Sequence, residues 1–97
     1  MAWKEHLYAA CRRATAEPAP AGPLALTLRL TVSRRRNWTA LWKPALDALG
    51  PVLGVPDPTR PYRAQDDRIT SLALHRRLDD TVGHQVGVEL WWQPGRR

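Results

Sequence analysis

The stretch LALTLRLTV, residues 24–32, decides the fold. Leu24, Leu26, Leu28, Leu30 and Val32 alternate with Ala25, Thr27, Arg29 and Thr31. Successive side chains of a strand point to opposite faces, so a period of two gathers the branched aliphatic groups on one face. Small and polar groups fall on the other. The stretch predicts a strand with one core face and one partly polar face.

On its N-terminal side, residues 3–16 predict an amphipathic helix. Trp3, Leu7, Ala10 and Ala14 recur at helical spacing, and Lys4, Tyr8, Arg12 and Arg13 fall elsewhere. Pro18, Pro20 and Gly22 close the helix. On the other side, Arg34-Arg35-Arg36 follows the strand at once. Trp38, Leu41, Trp42, Ala45 and Leu49 predict a second helix over 39–49. Thr39 to Leu41 would cap it, Pro44 would sit in its first turn and Gly50-Pro51 would stop it.

Residues 50–65 read as a proline-rich loop with Pro51, Pro56, Pro58 and Pro61, ended by Asp66-Asp67. So long a loop in a small domain suggests function. Strands over 68–76 and 84–92 are expected as a hairpin around Leu78 to Gly83. Pairing Leu74 with Val86 and Leu72 with Val88 would put His75 opposite Gln85. Residues 93–97 form a short basic tail. The expected fold is α/β (α+β), in the order helix-strand-helix-strand-strand. It is one domain over 1–97, with a small mixed sheet covered by two helices.

Length and composition narrow the function classes. Ninety-seven residues with 43% hydrophobic and 25% charged residues fit one small globular domain. The one cysteine, Cys11, rules out an intrachain disulfide and is expected as a small buried side chain. No stretch resembles a signal peptide or a membrane span, so the expectation is a cytoplasmic protein without a membrane partner. The formal net charge is +6, and Lys4 and Lys43 are the only lysines among 15 basic residues. A G+C-rich coding sequence explains arginine over lysine. It does not explain the excess of basic over acidic residues, which favours an acidic partner such as nucleic acid.

Residues 33–67 hold the chemistry-bearing pattern. Arg34-Arg35-Arg36 lies at a strand end, LWKPALDAL (41–49) supplies Lys43 and Asp47, and Asp66-Asp67 stands just before Arg68-Ile69 and a strand. This pattern resembles the RusA-like family of Holliday junction resolvases, and with the preceding helix and strand the resemblance covers most of residues 3–92. It implies a mixed α/β fold, a homodimer and cleavage of branched DNA with Mg²⁺ held by aspartates. Hard Mg²⁺ takes carboxylate oxygens and activates water, and a nearby lysine stabilises transition-state charge. By this resemblance Asp66, Asp67 and Lys43 are the candidate catalytic residues. Asp66, Asp67, Asn37 and Thr39 are the candidate metal ligands, and Arg34, Arg35 and Arg36 the candidate phosphate contacts.

The chain departs from the family at the ligands. Asn37 and Thr39 stand where the family has two aspartates, and Ala40 stands where it has asparagine. Mg²⁺ binding is therefore expected to be weak or absent. The family also opens with a strand before the first helix, and without it one sheet edge is left bare or is paired with another chain. Three readings follow. The first is a RusA-like domain that binds branched or structured DNA with nuclease activity lost or weakened. The second is a small interaction domain using its tryptophans and proline-rich loop to bind a protein. The third is an active Mg²⁺-dependent endonuclease using Asp66, Asp67 and a further ligand such as Asp47. The plain alternatives are that Asp66-Asp67 merely ends the loop, Lys43 is an exposed helix residue, and Trp38 and Trp42 are core or interface anchors. His6, His75 and His84 lack metal-ligand spacing.

Overall fold

The computed structural model describes residues 2–96. It is a small α+β fold with a three-stranded mixed sheet. The chain forms two compact units, one sheet-bearing (Gly22–Trp42 and Ile69 onward), the other helical (up to Ala21 and Lys43–Arg68).

In the sheet unit, β1 (Leu24–Val32) falls where the leucine alternation predicts it. Its leucines and Val32 are buried, and the residues between them are half-buried. β2 (Ile69–Leu78) and β3 (Gly87–Pro94) lie on either side, in the order β2-β1-β3. β1 runs parallel to β2 and antiparallel to β3.

The expected hairpin of β2 with β3 is therefore wrong, as are its pairings of Leu74 with Val86 and Leu72 with Val88. Leu28 instead stands between Leu74 and Leu90, and Leu26 between Leu72 and Trp92. His75 faces Arg29, not Gln85. The physical reason is that a parallel neighbour needs a long crossover, and residues 33–68 supply one between β1 and β2. The most apolar strand then takes the central place, where both of its edges are hydrogen-bonded. Segment 79–86 carries the chain across the end of β1. There the Asp79 amide donates to the Val32 carbonyl at 3.0 Å, and Asp79 accepts from the amide and hydroxyl of Thr81 at 3.0 and 2.6 Å.

In the helical unit, α1 spans Ala2–Ala14. Trp3, Leu7, Tyr8 and Cys11 are half-buried, whereas Ala10 and Ala14 are exposed. The inner stripe thus includes Tyr8 as well as Trp3 and Leu7, and Cys11 is half-buried rather than buried. Tyr8 meets Tyr62 edge-on at 5.4 Å, and an aromatic ring has far more area to bury than an alanine. Burial raises the Cys11 thiol above its usual pKa, opposed by a hydrogen bond with Thr15.

The expected helix over 39–49 is broken up. A 3-10 turn spans Trp38–Ala40, α2 spans Trp42–Asp47 and α3 spans Gly50–Leu53. Pro44 cannot donate into a ladder continuing from the turn before it. Gly50-Pro51 starts α3 rather than ending a helix: Pro51 lies at its beginning, where a missing N–H costs nothing. Ala45, Leu46, Ala48, Leu49, Val52 and Leu53 are buried. The long loop is thereby shortened and closed, with the Gln65 amide donating to the Gly54 carbonyl at 2.9 Å. Arg68 anchors its exit by donating to the carbonyls of Leu53 (2.8 Å), Ala19 (3.5 Å) and Pro20. No helix among the described residues is long and apolar enough to cross a membrane.

Candidate nucleic-acid interface

The arginine run forms a tight turn at the C-terminal end of β1. The Arg36 amide donates to the Ser33 carbonyl at 3.1 Å, and the Trp38 amide donates to the Arg36 carbonyl at 2.9 Å. This turn projects three guanidinium groups along a groove of about 660 Å³, lined by Arg34, Arg35, Arg36, Asn37, Asp80 and His84. The three arginines are not equivalent. Arg34 is held by Asp80, which accepts its backbone amide at 3.0 Å and its Nε at 3.1 Å. No ion pair forms on Arg35 or Arg36 among the described residues, and Arg35 is exposed. The groove therefore carries two uncompensated cations and one neutralised cation. Asp80 was not singled out by the sequence, and His84 only as a histidine without metal-ligand spacing. They reach the arginine turn because segment 79–86 crosses the end of β1, which a β2–β3 hairpin would not require.

The proposed metal ligands divide between the units. Asn37 and Thr39 belong to the sheet unit, and Asp66, Asp67, Lys43 and Asp47 to the helical unit. Thr39 Oγ1 donates to Asn37 Oδ1 at 2.8 Å, so these two neutral groups are already hydrogen-bonded to each other. Lys43 Nζ donates to Asp66 Oδ2 at 3.2 Å and lies 3.8 Å from Asp47, which lies 3.9 Å from Lys4. These contacts raise the Lys43 pKa, the Asp66 hydrogen bond contributing most. Lys4 also sits 5.5 Å over the Tyr62 ring. The helical unit thus brings together Lys43, Asp66 and Asp47 as alternating charges. In such a row each carboxylate is partly neutralised by a lysine, which does not suit the capture of a divalent cation. Among the described residues no group of three or more His, Cys, Asp or Glu could hold a metal ion.

A second polar surface lies on the sheet face opposite the leucines. Arg29 Nε and Nη2 donate to the two Glu89 carboxylate oxygens at 2.9 and 2.7 Å, a two-pronged pair across β1 and β3. The same guanidinium lies 5.2 Å over the Trp91 ring. The Arg29 hydrogen bonds hold the Glu89 carboxyl below its ordinary value of 4.5. A depressed carboxyl pKa contributes stability that is present above the unfolded-state value and lost as pH falls through the folded-state value. Thermal melts between pH 6 and pH 3 should therefore show a smaller acid loss for Glu89→Gln than for the parent. Equal losses would mean that the pair adds nothing to acid sensitivity.

Comparisons with protein-family models, curated proteins and solved structures return no match to this chain.

Proposed function

We propose that this chain is a RusA-like nucleic-acid-binding domain, directed at branched or structured DNA, in which the family's nuclease chemistry is weak or lost. The observation that carries this reading is the arginine turn, with Arg35 and Arg36 uncompensated beside a groove. Phosphate backbones are bound mainly by such cations, with release of condensed counterions. The neutral Asn37–Thr39 pair and the Lys43–Asp66 contact support weak or absent Mg²⁺ binding. A homodimer belongs to the same reading, since the sheet ends on β2 at one side and β3 at the other. A cytoplasmic setting fits a DNA partner.

The test is anisotropy on a fluorescent four-way junction from 50 to 300 mM salt, with Mg²⁺ and Mn²⁺ incubations run in parallel. The expected result is binding that weakens steeply with salt and no metal-dependent cleavage. Absence of binding at 50 mM salt would overturn the reading, and cleavage would restore the active endonuclease. Leu72, Leu78 and Trp92 are exposed on β2 and β3, at 39%, 48% and 41%, and favour a second reading as a protein-binding domain. That reading predicts association that persists in high salt, because apolar burial is not screened.

A further inference from the structure

The arginine turn offers guanidinium groups to phosphates. The polar face of the sheet adds an exposed aromatic ring. Trp91 is 49% exposed, even with the Arg29 guanidinium over its ring. Its row across the sheet is Ala73–Thr27–Trp91, so its neighbours on that face are short. The next row is His75–Arg29–Glu89, and the one after it is Arg77–Thr31–Gly87. A flat indole thus stands above low neighbours, with cations one and two rows away. A groove of about 480 Å³ runs among Thr27, Arg29, His75, Arg76, Arg77 and Trp91.

In these rows the arginines outnumber the carboxylates by one. Glu89 is the one carboxylate among them, and Arg29 occupies both of its oxygens. Arg77 is exposed and forms no ion pair among the described residues, although its charge also reaches Glu89 and Asp79. Glu89 also serves a positioning purpose. By gripping Nε and Nη2, it holds the guanidinium beside the indole, so Arg29 has little side-chain freedom left to lose when a ligand arrives.

We infer that this face is a platform for an unpaired nucleic-acid strand, with one base stacking on Trp91 and a flanking phosphate meeting Arg77. The inference rests on the nucleic-acid reading and adds to it a preference for unstacked bases. Every base has a π-face, so stacking on an aromatic side chain selects single strands without selecting sequence. An aromatic residue on an open sheet face suits this because a duplex keeps its bases inside the stack. A junction or other branched substrate offers unpaired bases where its arms meet. The arginine turn and this platform would then read two different features of one ligand.

The experiment compares binding of fluorescent dT15 and a 15-bp duplex at 100 mM salt by the parent, Trp91→Phe and Trp91→Thr. Threonine suits an exposed strand position and keeps the fold testable; unchanged melting confirms that the variant is folded. Trp91→Thr should weaken dT15 binding about tenfold, the loss of one stacked base. Duplex affinity should stay within about twofold, and Trp91→Phe should retain most dT15 affinity. Unchanged dT15 binding by Trp91→Thr overturns the platform while leaving the arginine turn intact. Equal loss on both probes also overturns it, as does a polyglutamate peptide that displaces dT15 at equimolar concentration. Failure of the parent to bind either probe removes the nucleic-acid reading itself. If Trp91→Thr does not fold, Trp91→Phe and Arg77→Gln decide. Parent-like dT15 binding with Phe and a weaker salt dependence with Gln support the platform; a tenfold loss with Phe or an unchanged salt dependence with Gln overturns it.

Discussion

Leu28→Asp should leave the chain without a cooperative unfolding transition. Leu28 is fully buried at the centre of β1, between Leu74 and Leu90. Removing most of a buried leucine costs about 2–5 kcal/mol. Burying a carboxylate without a partner adds several kcal/mol more, or forces the group to take up a proton. Small domains hold only about 5–15 kcal/mol in total, so the sum reaches the whole stability. Circular dichroism of the variant should show no sigmoidal melt. Arg29→Asp is the matched control, one position along on the polar face. It puts a carboxylate opposite Glu89 and loses the ion pair, yet it should still melt cooperatively because that face is open to water. A Leu28→Asp protein with the parent's melting temperature would refute the core assignment.

Replacing Arg34, Arg35 and Arg36 together with glutamine should lower DNA affinity by about two orders of magnitude at 50 mM salt. It should also flatten the dependence of log K on log salt. Each phosphate contact on duplex DNA contributes a slope of about −0.9. Three independent arginines would remove about 2.7 from the slope. Arg34 is already paired with Asp80, so the expected change is nearer 2, carried by Arg35 and Arg36. This inequality gives the prediction a second arm. Arg34→Gln alone should matter least of the three, and Asp80→Asn should tighten binding by freeing Arg34. A triple variant with the parent's affinity and slope would eliminate the turn as a phosphate site. Tightening by Asp80→Asn without any effect of the triple variant would point to general charge rather than this turn.

The residues differ in how much of this they disclose. The alternation from Leu24 to Val32 settles β1 because burial of one face leaves a strict period of two. The strand partners were less legible, because adjacency in the chain is not adjacency in space. The helical segment between β1 and β2 carried the corrective signal, since strands joined through a helix pair in parallel. The run at Arg34 to Arg36 was legible as a charge cluster. Its division into paired and unpaired members depends on Asp80, forty-six positions away from Arg34. Arg29, Glu89 and Trp91 left no local trace. Their association depends on the register of β1 with β3, which no spacing within either strand encodes. In the helix expected over 39–49, Pro44 does fall in the first turn of α2, but Gly50-Pro51 opens a further helix where a stop was expected.

The central place of β1 also bears on the order in which the protein can assemble. β1 leaves the ribosome before either of its partners, and its two edges are completed only when Ile69–Leu78 and Gly87–Pro94 have followed. During that interval a nine-residue strand with alternating leucines has two open ladders, the form in which nascent chains pair with one another. Translation that stalls before β3 would leave the most adhesive segment of the polypeptide with one edge unguarded. β3 is thus the strand that retires the hazard created by β1.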